Sequence, residues 1–245
     1  MQIKDYQVVL LGVLIALGSV FSTYILSKSI IEFQKMQNQT IRVTGSASQK
    51  VTSDSASWTI NVRTKKATLK DGYLQLNSDM KKVKNFIVAN GIDEKNINYG
   101  SVNSYENYKR LPNGGMSNDV ESYVVYQLVT VKSNDINKIT DVSKKVDELV
   151  NQDVNLTTES VQYFVSNLDD IKVKMVGEAS KNAKERAKSM ISGTNGKIGV
   201  MNSARMGVFQ IVPVDSTEVN DYGINDTSSI EKKVVATVTA TFTVK

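Results

Sequence analysis

The feature that most constrains this chain is an uncharged run near its start. From Tyr6 to Ser27, YQVVLLGVLIALGSVFSTYILS, 22 residues include no Asp, Glu, Lys or Arg. A helix needs about 20 such residues to cross the core of a bilayer. Apolar character continues past Lys28 through Ile30, Ile31 and Phe33. Tyr6 and Tyr24 stand near the two ends, where interfacial aromatics concentrate. The rival is a cleaved signal peptide, with small residues at Ala16-Leu17-Gly18. The run extends well beyond that point, which favours an uncleaved anchor. Flanking charge leaves orientation nearly tied: Lys4 and Asp5 on one side, Lys28, Glu32 and Lys35 on the other. Residues 1–39 are therefore read as anchor and short stalk, and 40–245 as the folded domain.

The chain as a whole has globular composition, 40% apolar and 22% charged. It has 0 His and 0 Cys. That excludes Ser-His-Asp and Cys-nucleophile catalysis, Cys/His zinc sites, His-ligated haem and Cys-ligated iron–sulfur clusters. Any enzyme here would have to work with carboxylates, Lys, Tyr, Ser or an oxygen-ligated metal. No GxGxxG or GxxxxGK stretch occurs. A net charge of +5 is too mild and too dispersed to indicate nucleic acid. No cofactor, metal site or catalytic set is expected.

Periodicity sets the element order. Thr40–Ser48 and Ser57–Lys65 alternate as strands, with Trp58, Ile60 and Val62 on the inner face and QKVTSDSA as the turn. Thr68–Asn90 is a helix with stripe Leu69, Tyr73, Leu76, Met80, Val83 and Ile87, capped by Gly91. Asn96–Tyr108 and Glu121–Lys132 form a hairpin around KRLPNGGMSND, the second strand central because both faces are apolar. A second helix spans about Asn134–Asn151, and Val161, Tyr163 and Val165 mark a short strand. A third helix, capped by Asp169 or Asp170, ends near Ser192. Its inner face is Ile171, Met175, Ala179, Ala183, Arg186 or Ala187, and Met190. One extended stretch lies within Ile198–Val214, a polar loop follows, and KKVVATVTATFTVK is a long strand with Val234, Ala236, Val238, Ala240, Phe242 and Val244 inward. The order β-β-α-β-β-α-β-α-β-β is an α+β fold with mixed sheets.

The basic third helix, with Lys172, Lys174, Lys181, Lys184, Arg186 and Lys188, reads as a solvated face, and the carboxylates of Asp215, Glu218, Asp221 and Asp226 as a polar loop. The tyrosines stand out more. Tyr99, Tyr105, Tyr108, Tyr123 and Tyr126 share one hairpin and are the candidate oligomer interface, with packing inside the sheet as the alternative.

TIRVTGSASQKVTSDSASWTINVRT, with Val43, Gly45, Asp54 and Ala56, resembles the opening of SIMPL-domain (YggE-like) proteins. EASKNAKERAKSMISGTNGKIGVMNSAR matches a second block, through Ala179, Ala183, Ala187, Gly196, Lys197 and Gly199, and the final VTATFTV strand a third. The resemblance covers Thr40 to Lys245. It implies an extracytoplasmic domain, which breaks the orientation tie with the N-terminus inside. It also implies a non-enzymatic envelope protein linked to oxidative stress, and ring-like homo-oligomers. The alternative is a binding or accessory subunit for an envelope ligand such as a wall polymer or peptide.

Overall fold

A computed structural model describes the backbone of residues 5–112 and 114–245, and side chains except those of residues 5–6 and 35–38. The expectations for Lys4 and Asn113, and for the side chains of Tyr6, Lys35 and Met36, lie outside the described residues. Helix α1 (Asp5–Asn38) is continuous, so the stalk is a helical extension of the apolar run. Its apolar span covers Gln7–Gln34, and every side chain in that span is exposed. At about 1.5 Å per residue this length exceeds the roughly 30 Å core of a bilayer.

Thereafter the chain forms β1 (Thr40–Thr52), β2 (Ser55–Lys66), α2 (Leu69–Ala89), β3 (Ile97–Arg110), β4 (Met116–Ser133), α3 (Ile136–Lys144), α4 (Asp147–Val150), β5 (Leu156–Thr158), β6 (Gln162–Phe164), α5 (Leu168–Ile191), β7 (Ile198–Met206), β8 (Gln210–Pro213), β9 (Ile224–Asn225) and β10 (Glu231–Val244). Two sheets and their helices make an α+β protein. The residues divide into two compact units. One holds 1–48, 172–209 and 235–245, and the other 49–171 and 210–234. Strands β1 and β10 contribute to both.

In the larger unit a sheet runs β3-β4-β2, with β5 and β6 both on the far edge of β2. The expected central strand is β4, which pairs antiparallel with β2 and β3. Trp58 is 1% exposed, and with Ile60, Val62, Val125 and Val129 it packs against Leu76, Val83 and Ile87 of α2 and Ile139 of α3. Thr68 caps α2 by accepting from the Asp71 N–H at 3.2 Å, and Gly91 ends it at φ 84°.

In the other unit β10 lies between β1 and β7, and α5 covers Val43, Ala240 and Phe242 with Ala183 and Ala187. The closest approach is at Gly45. A β-carbon there would overlap the Ala183 amide nitrogen and the Ala179 carbonyl oxygen. Beside it Ser46 N–H donates to the Asn182 side chain at 3.1 Å, and the Arg186 guanidinium donates to the Thr44 carbonyl at 3.1 Å. β1 is the outer strand here, and α5 supplies the partners its open edge lacks.

Several expectations need correction. Leu69 and Tyr73 are exposed, so the α2 stripe begins at Gly72 and Leu76 and adds Phe86. Met190 is 64% exposed and Ile191 takes the inner position, because the face of α5 advances by four from Ala187. Ala187, not Arg186, is the buried member of that pair. Asp169 and Asp170 lie inside the first turn of α5, where carboxylates still favour the positive helix end. The second helix is broken. Lys145, Glu148 and Leu149 N–H groups each bond three residues back, a tightened turn between α3 and α4. The expected turn between the first strands shrinks to Ser53 and Asp54, since Val51 continues the inward alternation of β1. The single strand near Tyr163 is joined by β5, and the region 198–225 holds three strands, not one.

Gly45→Ala in the full chain should lose about 3 kcal/mol by overpacking against helix backbone. Gly177→Ala, on an open face of α5, should gain about 0.5–1 kcal/mol from helix propensity. Chemical denaturation in micelles measures both. A Gly45→Ala loss under about 1 kcal/mol would contradict the close packing.

Candidate interaction surfaces

The hairpin tyrosines do not form one patch. Residues opposite each other in an antiparallel pair share a face. Tyr99 stands opposite Val129, and Tyr123 opposite Lys66 and Glu106; both side chains lie on the helix side of the sheet. Tyr105 stands opposite Val124, and Tyr126 opposite Arg63 and Asn103, on the other side. There Tyr105 and Tyr126 meet edge to face, centroids 6.3 Å apart. Tyr105 is 54% exposed and Tyr126 half-buried. Tyr108 follows a register irregularity, and its hydroxyl donates to the Glu106 carboxylate. That hydrogen bond raises its pKa, as burial does for Tyr99. The tip closes through Leu111 N–H to Gly115 C=O at 2.8 Å and Gly114 N–H to Leu111 C=O at 2.9 Å.

The acidic loop is held by side chains of the strands that flank it and by its own. Buried Gln210 donates to the Asn220 carbonyl at 2.6 Å, and Lys233 to the Ser216 carbonyl at 2.9 Å. Asp226 accepts from Ser228 N–H and Oγ. Burial works upward on its carboxyl, but the Ser228 and Ser229 hydrogen bonds and the Lys232 charge outweigh it and lower the pKa. Among the described residues no group of three or more His, Cys, Asp or Glu is placed to hold a metal.

Lys232 was missed by sequence reasoning. It is 2% exposed, and its ammonium donates to the carbonyls of Tyr163, at 2.8 Å, and Asp226. The signal was present: Lys232 continues the inward series Val234, Ala236, Val238 at period two. Its long stem suits burial, and the two carbonyls satisfy the head. Desolvation lowers its pKa from 10.5, with Asp226 opposing.

The motif residues have structural partners as well. Asp54 accepts from Ser166 N–H at 2.9 Å and from Ser166 Oγ at 2.8 Å, and Ala56 is buried in the core beneath α2 and α3. The family model described as SIMPL, a protein of unknown function (DUF541), matches residues 41–242. No curated protein matches the chain.

Lys232→Met should cost about 2 kcal/mol at neutral pH, the value of charged hydrogen bonds to buried carbonyls. The folded-state pKa of Lys232 lies below the unfolded value, so the unfolded chain holds more protons in the interval up to 10.5. Parent stability should therefore rise relative to the variant as pH climbs through that interval. Denaturation from pH 7 to 10.5 measures it, and a narrowing gap would contradict this role.

Proposed function

Because the chain belongs to the SIMPL family, we propose that it is a non-enzymatic, single-pass, membrane-anchored protein of the cell envelope. In this reading residues 1–39 are an uncleaved anchor and stalk with the N-terminus inside. Residues 40–245 form the extracytoplasmic domain. The observation that carries it is the fully exposed apolar span Gln7–Gln34 on the same chain as the family domain. About 28 residues of apolar helix left in water would be a large aggregation surface, and a bilayer removes that cost. The role is structural or tied to envelope and oxidative stress, and the domain self-assembles. The outward side of the β3–β4 hairpin, with Tyr105 and Tyr126, is the proposed contact, since Tyr buries area at low entropy cost. β3 is also an edge strand of its sheet among the described residues, and an edge offers backbone groups to a partner. Anchoring several copies together holds the assembly on the membrane by avidity.

A second reading, a binding or accessory subunit for an envelope ligand, is favoured by a polar concavity at one end of the β2–β4 pair.

The full-length chain, extracted in micelles, should sediment as a multiple of its 27.0 kDa mass. Tyr105→Ser with Tyr126→Ser should shift it towards monomer. A monomer at micromolar concentration would overturn self-assembly. A mature N-terminus near Ser19 would overturn the anchor.

A further inference from the structure

The concavity has a volume of about 880 Å3, inside the range of roughly 300–1,000 Å3 typical of small-ligand sites. Four segments far apart in sequence build it: the start of β2, the turn before β3, the end of β4 with the residues entering α3, and β6. Its chemistry is specific. The amides of Asn96, Asn134 and Gln162 and the hydroxyl of Ser57 line it, and none of them forms a side-chain hydrogen bond to another described residue. Amides and hydroxyls each donate and accept, so together they match a ligand whose groups do both. One apolar face is present. The Phe164 ring lines the site and is 39% exposed.

Charge narrows the ligand further. Asp93 is neutralised by Lys95 at 3.0 Å. Asp135 is committed to α3, accepting from the Lys138 N–H at 3.0 Å and facing the Lys138 ammonium at 3.6 Å. Lys132 has no carboxylate partner among the described residues, so the site keeps one free cation.

We propose that this concavity binds an acidic glycan. Phe164 stacks on the C–H face of a pyranose ring, the amides and Ser57 read its hydroxyl or N-acyl groups, and Lys132 pairs with a sugar carboxylate. The lining is too polar for a lipid chain. A single free ammonium is too little for a nucleic-acid backbone. The inference rests on the second reading above and is independent of self-assembly.

The test uses the full chain in phosphatidylcholine nanodiscs, which carry no sugar headgroup. The probe is a tetrasaccharide of alternating hexuronate and N-acetylhexosamine, titrated by calorimetry. The neutral comparison is an N-acetylglucosamine tetramer. The acidic probe should bind saturably. Phe164→Ala should weaken it about tenfold, the scale of one lost aromatic contact. Lys132→Met should weaken it about fivefold, to the level of the neutral tetramer. Gln162→Ala, on an exposed side chain, gives a second readout should Phe164→Ala fail to fold; unchanged melting identifies folded variants. No saturable binding by folded parent protein would overturn the proposal and leave the assembly reading untouched. Tighter binding of an acidic tetrapeptide of equal charge would also overturn it, in favour of a peptide ligand.

Discussion

The contact between Gly45 and α5 fixes how β1, the first strand after the apolar helix, is held within its unit. β1 starts two residues after α1 ends. β1 is held on one side by β10, where Thr44 and Thr239 hydroxyls meet at 2.9 Å and Val244 N–H donates to Gln39 at 2.8 Å. On its other edge it is held by α5, through Asn182 and Arg186. The helix comes that close only because position 45 has no β-carbon and positions 179, 183 and 187 carry only a methyl group. Two sequence blocks about 130 residues apart are thus the two halves of one interface, dictated by van der Waals distance.

The chemistry of the molecule follows from what it lacks. With 0 His and 0 Cys, its side-chain polar groups are carboxylates, amines, guanidinium groups, amides, hydroxyls and one indole N–H. Several of these go to structure. Buried Lys232 bridges carbonyls of two segments, buried Gln210 fixes the acidic loop, and exposed Asp54 ties the β1–β2 turn to the segment before α5. Around Phe164 the side chains of Ser57, Asn96, Asn134 and Gln162 line a concavity and leave groups that both donate and accept open to a ligand.

The long elements were legible from sequence because each carries several periods of a pattern. β2, β4 and β10 alternate over many residues, and α2 and α5 repeat their stripes through several turns. β5 and β6 have three residues each, too few to show any period. The break between α3 and α4 leaves Val146 and Leu149 on the inner side, so the stripe hides it. The tyrosine hairpin was visible as composition, but the division of its rings between two faces depends on strand register, including the irregularity after Tyr99. The concavity around Phe164 could not be read at all. Its walls come from residues near 55, 95, 133 and 163, and only the fold brings them together.

The central claim is that this family domain is carried outside the membrane on an uncleaved helix. The absence of native cysteine makes it directly measurable. A single cysteine at Glu218, on the exposed loop, should react with a membrane-impermeant maleimide in intact cells. A single cysteine at Gln2 should react only after permeabilisation, and the labelled band should keep the full 27.0 kDa. Labelling of Gln2→Cys in intact cells, protection of Glu218→Cys, or loss of the Gln2 label from the mature chain would contradict the account.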